Sequence, residues 1–143
     1  ADHQAKGADI SIATIPVNSK DAPGFGIMKV TDDGLIDSFI EKPKSELLPK
    51  WTSPVAEEYK AQGKDYLASM GIYLFNKQVL LDMFAEYPDA NDFGKEIIPK
   101  AINSDYKVSS YAFGGYWTDI GTIASFMEAN LELTENIPKN KKA

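Results

Sequence analysis

Cysteine is absent from this chain. Its absence excludes disulfide staples, thiolate nucleophiles and thiolate metal sites together, and it fits a reducing, cytoplasmic compartment. Histidine occurs once, at position 3, and without a cysteine partner it cannot build a histidine-based triad of that type, so His3 is set aside. No apolar run approaches the ~20 residues that cross a bilayer, and the opening Ala1-Asp2-His3-Gln4 lacks a signal-peptide core, so a soluble chain with no membrane partner is expected. Positive charge is also in deficit: the formal net charge is -6 and the pI about 4.8. A nucleic-acid partner is therefore disfavoured, because a basic patch would have to form against the overall field. An opening methionine is missing as well, and the first apolar strand follows almost at once. A piece of a longer protein is expected.

What is present suits one α/β domain. The chain has 143 residues, 43% hydrophobic and 25% charged, enough for one buried core and too few for two ordinary domains. Ile10 to Val17 is β-branched and apolar on both alternating sets, as in a strand covered on both faces, with Pro16 marking its end. Ile27 to Val30 and Leu35 to Ile40 flank Asp32-Asp33-Gly34, the composition of a hairpin turn. Pro43 to Lys64 is polar and weakly periodic, a mobile excursion with one short helix. Tyr66 to Phe75 carries little charge and predicts a central strand. Asn76 caps a helix on which Val79, Leu80, Met83 and Phe84 recur at helical spacing, closed by Tyr87-Pro88. A second helical segment runs from about Phe93 to Ile102, bent by Pro99. Lys107 to Phe113 reads as a strand. Ile123, Phe126, Met127, Asn130 and Leu131 form a stripe on a closing helix that frays before Pro138 and a lysine-rich tail. Strands and helices mix, so the class is α/β with a mixed sheet and flanking helices.

Several short stretches carry chemistry. In Glu41-Lys42-Pro43, the proline ends the ladder and biases Lys42 towards an extended backbone, placing the pair at a strand terminus. Lysine offers a compact cation for a phosphate and glutamate accepts from sugar hydroxyls, although a lone Glu-Lys-Pro is also an ordinary solvated strand end. Ser69 and Gly71 interrupt a bulky strand and admit close approach, either by a ligand or by a packed helix. Asn91-Asp92-Phe93-Gly94 opens a helix, so Asn91 or Asp92 can be a cap. Phe93 must then join the core or cover a sugar ring. In Tyr116-Trp117-Thr118-Asp119-Ile120-Gly121-Thr122, an aromatic pair, a carboxylate and a glycine turn precede a helix, a composition suited to a sugar-binding edge. Asp119 could supply one carboxylate to a Mg²⁺ held mostly by water and phosphate, or simply make the turn.

These blocks, with Gly7-Ala8-Asp9-Ile10-Ser11-Ile12, Phe25-Gly26-Ile27-Met28, Ala68-Ser69-Met70-Gly71-Ile72-Tyr73 and the continuation Lys95-Glu96-Ile97-Ile98-Pro99, resemble the glucose-1-phosphate adenylyltransferases across nearly the whole chain. The resemblance implies a Rossmann-like nucleotide-diphospho-sugar transferase domain. It also implies transfer of an adenylyl group from ATP to glucose 1-phosphate, giving ADP-glucose and pyrophosphate for glycogen or starch synthesis, in an oligomeric, tetrameric parent. By that resemblance Glu41 and Lys42 contact the glucose and its phosphate, and Ser69 and Tyr73 line the sugar pocket. Asp92, Phe93 and Trp117 hold the glucose, Asp119 ligates Mg²⁺, and Lys42 and Asp119 are the catalytic residues. The family's glycine-rich nucleotide loop, companion aspartate and carboxy-terminal β-helix are not found within residues 1–143. The expectation is therefore a partial catalytic domain, the sugar-phosphate half, silent on its own. Two rivals stay open: a UDP-, dTDP- or GDP-sugar pyrophosphorylase, and a non-catalytic regulatory subunit.

Overall fold

The computed structural model describes residues 1–135; Pro138 and the lysine-rich tail lie outside them. The chain divides into two compact units, the first spanning Ala1–Ala112 and the second starting at Phe113.

The first unit is a five-stranded mixed sheet in the order β3-β2-β4-β1-β5. Strand β1 (Ile10–Val17) has the bounds its apolar run predicts. It lies between β4 (Tyr66–Phe75), antiparallel, and β5 (Val108–Ala112), parallel. Pro16 does not terminate β1; it pairs with Leu67, beyond the reach of β5, whose pairing stops at Thr14. Strands β2 (Gly26–Val30) and β3 (Ile36–Glu41) form the expected antiparallel hairpin, and Gly34 supplies the positive φ of its turn. That turn touches the far edge strand, since Gly34 O accepts from Ser110 N–H at 2.9 Å. Strand β4 sits in the centre, as its low charge predicts.

Helix α3 (Lys77–Glu86) buries Val79 and Met83. Phe93–Ile97 makes a π-helical turn that runs into α4 (Ile98–Asn103), with Pro99 in the first turn of α4. Proline's fixed φ is compatible with this helical position, though it forgoes the N–H bond to the preceding turn. Ile10, Ile12, Met28, Met83, Ile97 and Ile98 form the main core on this face. Each fully buried aliphatic side chain contributes about 1.5–3 kcal/mol. A smaller cluster holds Val17, Ala22, Ile27, Leu48, Tyr66 and Ala68. The polar excursion contains a 3₁₀ segment (Ser45–Lys50) and the short helix α2 (Glu57–Lys60).

Helix α1 (Asp2–Ala5) carries His3, which is buried. Its Nε2 lies 2.9 Å from Asn76 Oδ1, and Asn76 Nδ2 donates to Ala8 O at 3.2 Å. The amide orientation thus makes Nε2 the donor, and in the neutral ring Nδ1 accepts from Ser11 Oγ at 2.7 Å. Ser11 Oγ is 2.8 Å from Ser109 Oγ, so the chain of hydroxyls crosses from β1 to β5. Asn76 occupies the position that caps α3, yet its side chain makes no capping bond. It is spent on His3 and Ala8 instead.

In the second unit, α5 (Ile123–Leu133) starts with a reciprocal capping box between Thr122 and Ser125. Tyr116 OH donates to Glu132 Oε2 at 2.8 Å, tying the preceding loop to the helix. Ile123, Phe126, Met127 and Leu131 form the expected stripe, and all are exposed; of the α5 residues, Ala129 is buried.

Candidate sugar-phosphate site

Glu41, Lys42, Ser69, Tyr73, Asp92 and Phe93 all belong to the first unit, where three elements deliver them. The end of β3 carries Glu41. Lys42 then turns sharply, with φ 47°, which corrects the extended backbone expected before Pro43. The reason is tertiary: Lys42 N–H donates to Phe25 O at 2.9 Å, continuing the β2–β3 ladder by one bond and outweighing the local preference. A non-glycine residue at positive φ stores of order 1–3 kcal/mol of strain, the kind found at functional sites. All 15 basic residues of the sequence are lysines, so any phosphate bound here meets point-charge ammonium groups rather than a guanidinium fork.

Strand β4 carries Ser69 and Tyr73 across an irregularity in its pairing with β1. Thr14 pairs with Ser69 and Ile12 with Tyr73, leaving Met70, Gly71 and Ile72 opposite Ala13. Gly71 takes φ +70°, and a Cβ there would meet nothing within 4 Å. Helix packing is therefore not the reason for this glycine; the bulge's left-handed backbone is. Gly71 N–H donates to Ser69 Oγ at 3.2 Å.

The entrance to the π-helical turn carries Asp92 and Phe93. Asp92 Oδ1 accepts from Lys95 N–H at 2.7 Å, so it does cap the segment. Glu96 Oε2 reaches back to accept from the N–H groups of Asn91 at 2.7 Å and Asp92 at 3.0 Å. Phe93 stacks on Tyr73, with centroids 5.5 Å apart and planes at 24°, and also meets Phe75 and Phe84. It nonetheless stays 37% exposed. One aromatic face is fixed by packing while part of the ring remains open to a ligand.

Electrostatics tie these groups together. Glu41 has its carboxyl pKa raised, first by burial and then by the Asp92 carboxylate, with Lys42 and Lys95 pulling it back down. Burial likewise raises the Tyr73 phenol, against the Ser69 side chain, and the Glu41 and Asp92 charges add to the rise. Two carboxylates, a phenol and two ammonium groups thus share one electrostatic neighbourhood.

Two participants escape a reading of the sequence alone. Gly26 is the register partner of Glu41. A Cβ at Gly26 would lie 2.9 Å from Glu41 Oε2, and one at Gly94 would lie 2.8 Å from the same oxygen. The carboxylate occupies the space that both glycines leave. The one available signal was the pairing of Phe-Gly with the end of β3, which requires the strand register to be known.

Trp117 and Asp119 lie in the second unit. Asp119 Oδ1 accepts from Gly121 N–H at 3.1 Å, an Asx turn, so the turn reading of this residue is realised. The turn leaves Oδ2 to other partners. No cluster of three metal-ligating side chains occurs among the described residues. A lone carboxylate fits Mg²⁺, which keeps several waters and takes one or two carboxylates plus phosphate oxygens.

A concavity of about 610 Å³ in the first unit is lined by Asp2, His3, Ser11, Ile72, Tyr73 and Tyr111 among others. It is mainly apolar and lacks the carboxylates and ammonium groups described above, so volume and chemistry point to different places, and the chemistry is the better guide to a polar ligand. No helix among the described residues is long and apolar enough to cross a membrane.

The mixed sheet with flanking helices is the α/β architecture of a Rossmann-like nucleotidyl transferase domain. Residues 1–136 match the nucleotidyl transferase family. The chain belongs to the nucleotidyl transferases.

Proposed function

We propose that Glu41, Lys42, Ser69, Tyr73, Asp92 and Phe93 bind glucose 1-phosphate, and that the protein is a glucose-1-phosphate adenylyltransferase. The observation that carries this reading is the grouping of Glu41, Asp92 and Ser69 near Tyr73, on which the partly exposed ring of Phe93 stacks. Sugar rings need hydroxyl acceptors beside an apolar surface, and the first unit offers both.

In this reading Glu41 and Asp92 accept from glucose hydroxyls, Phe93 covers a ring face, and Ser69 and Tyr73 complete the hydrogen bonding. Lys42 offsets the phosphate charge. The phosphate oxygen of the sugar attacks the α-phosphorus of ATP in line; a new P–O bond forms and the bond to pyrophosphate breaks. No covalent nucleophile is needed, so the lack of cysteine costs nothing: the protein aligns two anions and screens their repulsion. Asp119 would hold Mg²⁺, which when bound neutralises charge on the transferring phosphates.

Titration of glucose 1-phosphate into the chain, followed by amide chemical shifts, tests the binding half. Saturable shifts centred on Glu41, Ser69, Tyr73, Asp92 and Phe93 are expected. Lys42→Ala should weaken glucose 1-phosphate while leaving the response to free glucose unchanged. Shifts centred elsewhere, or equal losses for both ligands, refute the assignment. Pyrophosphate release by the full-length protein, compared across nucleoside triphosphates, tests the choice of ATP.

A further inference from the structure

We propose that Gly94, with Gly26, is a positioning residue: the two glycines form a slot that holds the Glu41 carboxylate in the orientation in which it meets the sugar. The proposal rests on the glucose 1-phosphate reading and adds to it the device that aims one of its acceptors.

The argument starts from backbone geometry. Neither glycine has a positive φ; the positive values belong to Gly7, Gly34, Gly63 and Gly71. Conformational freedom therefore does not demand glycine at positions 26 and 94. Space does. Both residues are buried, and a methyl group on either would fall within 3.0 Å of Glu41 Oε2, closer than real carbon and oxygen atoms approach. At Gly94 the other close atoms are Glu41 Cδ and Asp92 Oδ1, both at 3.5 Å. The slot thus brings the Glu41 carboxylate to the backbone that carries Asp92 and Phe93, although the two segments lie far apart in sequence.

The two positions differ in what a side chain would displace. At Gly26 a Cβ would also lie 2.5 Å from the Phe39 ring, so substitution there disturbs packing. At Gly94 the offending atom is the end of a flexible side chain, which swings away at small cost. Gly94 also lies in a helical turn, where alanine is the better residue by about 1 kcal/mol. Gly94→Ala should therefore keep the fold and evict the carboxylate.

The experiment compares wild type, Gly94→Ala, Glu41→Ala and the double variant, each titrated with glucose 1-phosphate by calorimetry, with thermal unfolding and the ligand-free ¹³Cδ resonance of Glu41 recorded alongside. The expected result is a Kd about tenfold weaker in Gly94→Ala, the loss of one charge-assisted hydrogen bond, with no fall in Tm and a displaced Glu41 resonance. In the Glu41→Ala background, Gly94→Ala should change nothing further. Wild-type affinity in Gly94→Ala, or an equal loss with and without Glu41, overturns the proposal. A wild-type chain that fails to bind sinks the glucose 1-phosphate reading, and the positioning claim then stands or falls on the carboxyl resonance alone.

Discussion

Asp92 has two separable duties, and two substitutions pull them apart. As a cap, its Oδ1 accepts a single backbone N–H, that of Lys95, at 2.7 Å. As a charge, it sits close enough to Glu41 to raise that carboxyl's pKa. Asp92→Ala removes both. Glu96 still accepts from the N–H groups of Asn91 and Asp92, so one donor is orphaned, and both Asp92 and Lys95 are exposed enough for water to replace part of the lost bond. That places the cost near the middle of the range for lost caps, about 1 kcal/mol, or about 3 °C in Tm for a chain of this size. Asp92→Asn keeps a good capping oxygen and deletes the charge. Its stability should stay within about 0.5 kcal/mol of wild type, while Glu41's titration moves towards the ordinary carboxylate range and glucose 1-phosphate binding weakens. Urea unfolding, carboxyl NMR titration and ligand titration of both variants supply the measurements. If Asp92→Asn destabilises as much as Asp92→Ala, the capping account is wrong; if it leaves Glu41's titration unmoved, the electrostatic account is.

Glu41 makes folding less favourable when ionised, because its folded pKa is raised above 4.5: the native state binds the extra proton, so this group's contribution to stability falls as pH rises from 4.5 through the raised value. Glu41→Gln should accordingly stabilise the chain at pH 7 relative to wild type, with the gain fading below about pH 4.5, as read by Tm against pH; an unchanged or reversed difference contradicts it. Lys42→Gly should relieve the strain at φ 47° and stabilise by up to about 1 kcal/mol while weakening phosphate recognition, and a loss of stability in denaturant would show that the left-handed turn carries no strain. Asn76→Ala removes the acceptor of His3 Nε2 and the donor to Ala8 O, leaving buried polar groups without partners. About 2–3 kcal/mol should be lost, and a change under 0.5 kcal/mol in urea unfolding would rule out a structural role for the histidine.

Strand and helix placement was legible where periodicity was strong. The β-branched run of β1, the Asp-Asp-Gly turn between β2 and β3, the central place of β4 and the burial of Val79 and Met83 on α3 follow the local pattern, whereas Ile72 and Leu74 on β4 and Phe84 on α3 stay exposed. Legibility failed where a distant partner overrides local chemistry. Proline at 43 argued for an extended Lys42, but the carbonyl of Phe25 claims its N–H. Asn76 has the composition of a cap, but a histidine 73 positions away takes its oxygen. His3 is set aside in the sequence for want of a cysteine partner, and its contacts to Ser11 and Asn76 form only once the sheet is made. At the candidate site, Asp92's cap could be read from its place before a helical run. The contributions of Gly26 and Gly94 could not, since what matters there is an absent side chain facing an atom of another element.

The strand order β3-β2-β4-β1-β5 sets the schedule on which this chain matures. Among the described residues, the first strand in sequence is flanked by the last two, so β1 is synthesised long before either of these neighbours. Such non-local pairing slows folding and prolongs the exposure of an unpaired apolar segment. High-yield production should favour slow synthesis or a holdase that shields Ile10 to Val17 until Ala112 has emerged.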